Sequence, residues 1–181
     1  GVVWVQHDGV ASSIYGGVHE GGTWSGPALL EAGAERAGTP SLAAADRGYG
    51  VSWIQSDGVA DSVLLVRHDG IAWTSLEPVE VDPGPASGAR IASNGDGYAI
   101  SWEQEVAGAN RLMAAVRDGG GLNTPVVVDD GGGEASPGAL TSDGEGYFLV
   151  WQQQDAPMEA PRGYASTFHP GAGTWAAPEL L

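Results

Sequence analysis

One unit recurs along the chain at a fixed interval, and this recurrence limits the available folds more than any other feature. Four tryptophans stand 49 residues apart, and a glutamine follows each of them two positions later. Self-similarity at a period of about 20–50 residues is typical of proteins that stack one small structural unit several times. The sequence therefore predicts a single domain of 181 residues with repeats at about 1–38, 39–87, 88–136 and 137–181. The repeated pairs are Trp4 and Gln6, Trp53 and Gln55, Trp102 and Gln104, and Trp151 and Gln153.

Each repeat predicts four short antiparallel strands. In the second repeat the first strand covers residues 41–44, and the turn at 46–48 has the glycine-containing chemistry of a tight hairpin. The second strand covers residues 49–55 and the third covers 63–66, and a second hairpin at 68–73 leads into the fourth. The same order of strands and turns recurs in the other repeats, except that the first repeat lacks its opening strand.

The second strand has one bulky face and one small face. Strict alternation places Tyr49, Val51 and Trp53 on one side of the sheet and Gly50 and Ser52 on the other. The third repeat has the same pattern, whereas the fourth places larger residues on its small face. A bulky face opposite a small face predicts sheets stacked face to face, with each tryptophan filling space that its neighbour leaves free.

Proline near the fourth strand predicts that this strand lies at the edge of its sheet, because proline cannot donate a backbone hydrogen bond. The prolines stand three residues after an aromatic residue or leucine, at Pro27, Pro125 and Pro178. Four antiparallel strands in each unit of about this length, the last at an edge, are typical of propeller blades. The predicted fold is all-β, a β-propeller of four-stranded antiparallel blades with about four repeats of 49 residues, the first incomplete.

The hairpins between the third and fourth strands carry a family resemblance. They read Glu20-Gly21-Gly22-Thr23-Trp24, Asp69-Gly70-Ile71-Ala72-Trp73 and Gly171-Ala172-Gly173-Thr174-Trp175. These segments resemble degenerate Asp-boxes of sialidase-like β-propellers, and the repeats are also similar in length to the blades of propeller lectins. The resemblance implies bacterial propeller blades and does not imply a ligand, because one fold hosts many functions.

The incomplete first repeat affects the expected assembly. A blade without its innermost strand leaves an unpaired backbone edge, which is a template for pairing with another chain. The chain is therefore expected to be a segment of a longer propeller or to be completed by self-association.

Charge and composition exclude several classes of partner. The chain has 23 Asp and Glu against 7 basic residues, all of them Arg, and its formal net charge is -16. This balance argues against nucleic acid, whose phosphates need Lys and Arg, and against an anionic membrane surface. No apolar run approaches the length of about 18 residues that a membrane span needs, so membrane insertion is not expected. The acidic chain without Lys or Cys favours an extracellular or surface location in a bacterium.

An enzymatic site is not favoured by the residues of the inner strands. Sialidase-like enzymes gather carboxylates and arginines around the axis, whereas the predicted inner strands carry Arg90 and no acid. Glu103 is the one acid inside a Trp-x-Gln segment, and glycoside hydrolysis ordinarily uses two carboxylates. No catalytic residue is therefore assigned, and a sialidase-like glycoside hydrolase is the weakest alternative.

Metal and cofactor sites are not expected either. His19, His68 and His169 are predicted to be equivalent in three repeats, which places them on separate blades, too far apart to share a zinc ion. The glycine-rich turns at 94–97 and 143–146 offer too few oxygen ligands for calcium, which takes about six to eight.

Acidic residues concentrate at one edge of the predicted blades, where the second-to-third and fourth-to-first connections meet. We call this edge the loop rim, and it collects 13 of the 23 acids. They are Asp8, Glu31, Glu35, Asp57, Asp61, Glu80, Asp82, Glu105, Asp129, Asp130, Glu134, Asp155 and Glu159. These connections are the longer and more variable ones, and binding residues are most often found on such loops.

The loop rim leads to a functional prediction, a non-catalytic extracellular module that binds a glycan or a protein. The alternative is a structural segment whose role is assembly into a larger propeller. The candidate ligand-binding residues are Asp57, Asp61, Glu105, Arg111, Asp155 and Arg162.

Overall fold

The computed structural model describes residues 1–7, 9–31, 33, 35–156 and 158–181. Within these ranges the chain forms strands and turns, and no helix. In particular, the described residues contain no helix with the length and apolar character of a membrane span. The prediction of an all-β fold is confirmed.

The strands form sheets that follow the four repeats, and every pairing between neighbouring strands is antiparallel. The first sheet contains β1 (Val2–His7), β2 (Ser12–Gly17) and β5 (Ala28–Leu29), with the separate hairpin β3 (His19–Glu20) and β4 (Thr23–Trp24). The second contains β6 (Ala37–Ala45), β7 (Gly48–Ser56), β8 (Asp61–His68) and β9 (Glu77–Pro78).

The third and fourth sheets have five strands each. The third contains β10 (Ala86–Ser93), β11 (Tyr98–Val106), β12 (Ala109–Asp118), β13 (Gly121–Leu122) and β14 (Val126–Val127). The fourth contains β15 (Glu134–Ser142), β16 (Tyr147–Gln154), β17 (Arg162–His169), β18 (Thr174–Trp175) and β19 (Glu179–Leu180). None of these sheets closes on itself.

The fourth strand of a repeat lies at the edge of its sheet, as predicted, but it is divided into two short parts. In the third sheet β13 and β14 both pair with β12, and Pro125 lies between them. Asn123 bridges this gap, because its backbone N–H donates to the carbonyl of Val116 at 2.9 Å. Its Oδ1 accepts the N–H of Val116 at 2.7 Å. Ser25 and Thr74 do the same in the first and second repeats.

The first strands of the repeats are longer than predicted. Strand β6 begins at Ala37 instead of residue 41, and its register with β7 shifts between Gly38 and Ser41. This β-bulge contains Thr39 in the left-handed region, at φ 52°, and Pro40. A bulge breaks the alternation that marks a strand in sequence, which is why the first half of β6 was not recognised.

Neighbouring sheets pack with the bulky face of one against the small face of the preceding one. Trp53 and Trp102 are fully buried in these contacts. A Cβ atom at Gly50 would lie 2.6 Å from the ring of Tyr98 in the next sheet. Ala99 occupies the equivalent position and packs in one cluster with Tyr147. The predicted pairing of large and small faces is confirmed at these positions.

The Trp-x-Gln pattern is explained by a hydrogen bond along one face of the strand. Residues two apart on a strand point to the same side, so each glutamine Oε1 can accept the indole N–H. The distances are 3.2 Å for Trp4 and Gln6, 3.1 Å for Trp53 and Gln55, 2.8 Å for Trp102 and Gln104, and 3.2 Å for Trp151 and Gln153. The glutamine thus allows a polar indole nitrogen to be buried without losing its partner.

Candidate functional site

The six candidate residues of the loop rim do not form one site. Asp57 stabilises its own turn, where its carboxylate accepts the backbone N–H groups of Val59 at 2.7 Å and Ala60 at 2.8 Å. The hydrogen bonds from Ala60 and then Val59 lower the pKa of Asp57. This carboxylate therefore has a structural role in the second sheet.

Two other candidates lie at isolated places on the rim. Asp61 forms an ion pair of 3.5 Å with the exposed Arg36, which is a weak surface contact. Glu105 is exposed, and its backbone N–H donates to the carbonyl of Pro85 at 3.2 Å. Neither residue joins the other candidates through a hydrogen bond among the described residues.

The remaining candidates, Arg111, Asp155 and Arg162, lie where the third sheet meets the fourth. Arg111 binds the buried carboxylate of Asp129 with Nη2 at 2.6 Å and Nε at 2.9 Å from the same oxygen. Asp129 also accepts the backbone N–H groups of Leu112 at 2.7 Å and Gly131 at 2.8 Å. Hydrogen bonds of this kind offset the cost of burying a charge, so Asp129 is a fixed anchor for Arg111.

The fourth sheet continues this arrangement through Gln153. Its buried amide donates to Asp130 and to Asp155, the latter at 2.9 Å. The hydroxyl of Tyr164 donates to the other oxygen of Asp155 at 2.7 Å, and Arg162 lies 3.6 Å from that oxygen. We call the set of Arg111, Asp129, Asp130, Gln153, Asp155, Arg162 and Tyr164 the rim network.

The electrostatics of the rim network follow from these contacts. The hydrogen bond from Gln153 is the main cause that lowers the pKa of Asp130, and the Arg111 guanidinium adds to it. The hydrogen bond to Asp155 raises the pKa of Tyr164. Asp130 is therefore an anion and Tyr164 a neutral donor at neutral pH.

The network has buried anchors and exposed ends. Asp129, Gln153 and Tyr164 are buried, whereas Asp130 and Arg162 are exposed. Asp130 offers a hydrogen-bond acceptor held by the buried Gln153. Arg162 offers a cationic donor that lies 3.6 Å from the half-buried Asp155 and 3.6 Å from the exposed Glu159. Such preorganised polar groups are typical of binding sites.

Sequence reasoning missed four members of the rim network as site residues. Asp129 and Asp130 were recognised only as part of the acidic edge, and Gln153 and Tyr164 only as strand residues. The available signal was that Gln153 ends a Trp-x-Gln motif next to the long loop from the second to the third strand. Asp8, which was predicted to lie on the same rim, is outside the described residues.

Two carboxylates, one from the third sheet and one from the fourth, influence each other. Burial raises the pKa of Glu103, and the carboxylate of Glu134 raises it further. Glu134 is thus the second acid near Glu103 that the sequence analysis lacked. Only Arg90 among the first strands supplies a guanidinium, and its Nη1 donates to the carbonyls of Gly88 and Ala89.

The predicted equivalence of three histidines is wrong in the fourth repeat. His19 and His68 pair with Trp24 and Trp73, whereas Trp175 pairs with Phe168. His169 lies one residue further along, because the loop before β17 is longer in this repeat than in the others. Among the described residues, no three or more His, Cys, Asp or Glu are grouped so that they could hold a metal ion.

Comparison with known proteins does not assign the chain to a family. No protein-family model matches the chain, and no curated protein matches it.

Proposed function

We propose that the four sheets are consecutive blades of a β-propeller, related to the Asp-box or propeller-lectin type. The period of 49 residues supports this arrangement, as does the strand order that it repeats. The first strands of adjacent sheets lie together, since Ser41 Oγ accepts the backbone N–H of Ile91 at 3.3 Å. Stacking of each bulky face on the preceding small face is the packing expected of neighbouring blades.

The function that the geometry supports best is non-catalytic recognition of a glycan or a protein through the loop rim. The rim network carries this proposal, because the buried Gln153 fixes the exposed Asp130 and the half-buried Asp155 lies beside the exposed Arg162. A glycan would bind through its hydroxyl groups, and a protein through polar and charged groups at its surface. The acidic composition fits an extracellular bacterial location.

A glycan array with and without calcium tests this function. The wild-type chain is expected to bind a defined set of glycans, and the variant Asp130→Asn combined with Arg162→Gln is expected to lose them. The matched control is Arg36→Gln, which removes a charge from the rim at the second sheet. Equal loss in both variants would contradict a site at the rim network.

If no glycan binds, the protein branch of the proposal is tested directly. Immobilised wild-type chain and the double variant are compared for capture of surface and secreted proteins of the source bacterium. Capture of a partner by the wild type and by Arg36→Gln, but not by the double variant, would support a protein ligand. Absence of any rim-dependent ligand in both assays would contradict recognition by the rim network.

A second candidate function is assembly into a larger propeller. The first sheet exposes Val2 and Leu29 on its bulky face, and the fourth sheet exposes Val150 on its small face. In the interior of the stack the same two faces cover each other. Exposed apolar residues on both end faces favour contact with a further blade.

The sialidase-like alternative is supported less well. Glu103 and Glu134 supply a pair of acids, but the nearby first strands provide only Arg90. Hydrolysis of an aryl sialoside that Glu103→Gln abolishes would favour this enzyme over the recognition module.

A further inference from the structure

Two repeat-related clefts lie along the edge opposite the loop rim. This edge, the turn rim, carries the first-to-second and third-to-fourth turns. The cleft between the second and third sheets, which we call the second cleft after the second sheet, has a volume of about 590 Å³. The cleft between the third and fourth sheets, which we call the third cleft after the third sheet, has a volume of about 720 Å³. A shift of 49 residues relates seven of the nine lining positions of the second cleft to lining positions of the third, the exceptions being Asp46 and His68.

The second cleft contains its own cations. Asp46, Asp69 and Asp96 line it together with Arg47 and Arg67. The hydroxyl of Tyr98 also belongs to this environment, because Arg67 and then Arg117 oppose the rise that burial causes in its pKa. Two guanidinium groups of the protein therefore lie beside the carboxylates in the lining of the second cleft.

The third cleft has lost these cations. Asp96 stands at the position of Arg47, and Val116 stands at the position of Arg67. Three exposed carboxylates line the cleft, from Asp96, Asp118 and Glu145, and none of its lining residues is Arg or His. Arg117 faces the second sheet and not the third cleft, because its Nε donates to Glu77 of that sheet at 3.2 Å.

A buried hydroxyl without a partner lies in the wall of the third cleft. Tyr147 is 1% exposed, and its Oη has no hydrogen-bond partner. Oη lies 3.4 Å from the place that a Cβ atom at Gly97 would occupy, and Gly97 also lines the cleft. A buried hydroxyl usually has a partner, so this one indicates a group that the protein itself does not supply.

The pKa of Tyr147 reflects the same imbalance. Burial is the main cause that raises it to about 12, and the nearby Tyr98 and then the carboxylates of Asp118 and Asp96 add to the rise. The nearby backbone of Asn94 opposes the rise without forming a hydrogen bond in good geometry. In the second cleft, by contrast, two arginines act in the opposite direction on Tyr98.

The remaining walls of the third cleft are apolar. Val116, Phe168 and Pro170 line it beside the carboxylates. The carboxylates are not grouped as a metal site within the described residues. The cleft therefore suits an extended organic cation with an apolar stem better than a compact metal ion.

We infer that the third cleft binds an arginine side chain of a partner polypeptide. The guanidinium takes the place that Arg47 and Arg67 fill in the second cleft, and its methylene stem lies along the apolar wall. Guanidinium groups pair with several carboxylates at once and stack on aromatic rings, which matches these surroundings. The inference does not rest on the loop-rim function, because the two sites lie on opposite edges of the sheets.

The inference is tested by titrating ¹⁵N-labelled protein with the peptide acetyl-Gly-Gly-Arg-Gly-Gly-amide. We expect shifts of the backbone amides of Gly97, Gly119, Gly120 and Gly144, and weaker binding at high salt because the contact is ionic. The same peptide with citrulline keeps the shape and lacks the charge. Its binding is expected to be at least about tenfold weaker, since hydrogen bonds to charged groups are the stronger ones.

Variants of the cleft give a matched comparison. Asp96→Arg restores a cation at the position equivalent to Arg47 and is expected to abolish binding. Glu145→Gln and Tyr147→Phe are each expected to weaken it several-fold. Arg47→Asp combined with Arg67→Val copies the third cleft into the second and is expected to create a second peptide site.

Several outcomes would overturn the inference. These are equal binding of the citrulline peptide, amide shifts confined to the loop rim, and binding that Asp96→Arg leaves unchanged. If the double variant fails to fold, Asp96→Arg decides the result, because residue 96 is exposed. Loss of glycan or protein binding at the loop rim would leave these amide shifts unaffected, so the two proposals fail separately.

Discussion

The smallest structural unit of this protein is a pair of side chains, the tryptophan and the glutamine that accepts its indole N–H. In the third repeat the pair is fully buried, and Gln104 Nε2 also donates to the carbonyls of Asp82 and Gly84 at 2.9 and 3.0 Å. One glutamine thus satisfies the buried indole N–H and two partly buried carbonyls. In the first repeat Gln6 is exposed, so water can replace it there.

Replacing Gln104 by Leu is expected to destabilise the protein strongly. The substitution leaves the buried indole N–H without a partner, at about 1–3 kcal/mol. It also removes the donor of two partly buried carbonyls, which water can replace in part. The control Gln6→Leu is expected to cost less than about 0.5 kcal/mol, as do most surface substitutions. Urea unfolding followed by tryptophan fluorescence measures both free energies. An equal loss of unfolding free energy in Gln104→Leu and Gln6→Leu would show that burial of the tryptophan does not depend on its hydrogen bond to glutamine.

Tyr147 predicts a loss of stability at alkaline pH. Its pKa is raised from 10.0 to about 12 in the folded protein by burial and by the nearby Tyr98, Asp118 and Asp96. Between these values the unfolded chain releases a proton that the folded chain keeps, so the free energy of unfolding falls as pH rises. Urea unfolding between about pH 9 and 11.5 measures the slope, and Tyr147→Phe is expected to reduce it. A slope in Tyr147→Phe equal to that of the wild type would contradict the raised pKa of Tyr147.

At the scale of single elements, the β-bulge in each first strand is the feature that deviates most from regular structure. In the second repeat Thr39 occupies its left-handed position, at φ 52°, and in the third repeat Gly88 does so at φ 65°. Side chains with a Cβ atom are strained in this region, whereas glycine is not. The third repeat therefore forms the bulge at a lower conformational cost.

Thr39→Gly is expected to stabilise the protein by about 1 kcal/mol, because relief of left-handed strain amounts to about 1–2 kcal/mol and the flexible unfolded chain offsets part of it. Thr39→Ala removes the hydroxyl but keeps the strain, so it should give no gain. Thermal and urea unfolding of the two variants make the comparison. A gain in the alanine variant equal to that in the glycine variant would assign the effect to the hydroxyl instead.

At the scale of the whole molecule, stacked sheets create boundaries whose polar edges differ from one another. The rim network occupies one edge of the boundary between the third and fourth sheets, and the third cleft occupies the other. Both depend on side chains from two sheets. The recognition that we propose for either edge therefore requires this boundary to be intact.

The open end faces predict association of the chain in solution. Val2 and Leu29 on the first sheet and Val150 on the fourth are exposed, and contact between copies would cover them. Light scattering over a range of concentrations is expected to show a mass that rises above the monomer. Val150→Glu is expected to reduce this rise, because a carboxylate would be buried in the contact. A monomer at every concentration would contradict the prediction.

The parts of the structure that depend on periodicity follow from the amino-acid pattern. The spacing of 49 residues and the alternation of Tyr49, Gly50 and Val51 predict the strands, their order and the packing of bulky on small faces. These features are local or repeat at one phase, so each copy reinforces the same prediction. The acidic edge was visible as well, because it depends only on which connections carry the acids.

Which polar groups meet, in contrast, depends on how the folded sheets are placed against one another. Arg111 and Asp129 are 18 residues apart and pair across the edge of one sheet, while Gln153 joins acids from two different loops. The longer loop before β17 placed Phe168 instead of His169 opposite Trp175. The unmatched carboxylates beside Tyr147 arise only where turns of two sheets meet. Such contacts depend on the relative position of separate elements, which no periodicity in the sequence encodes.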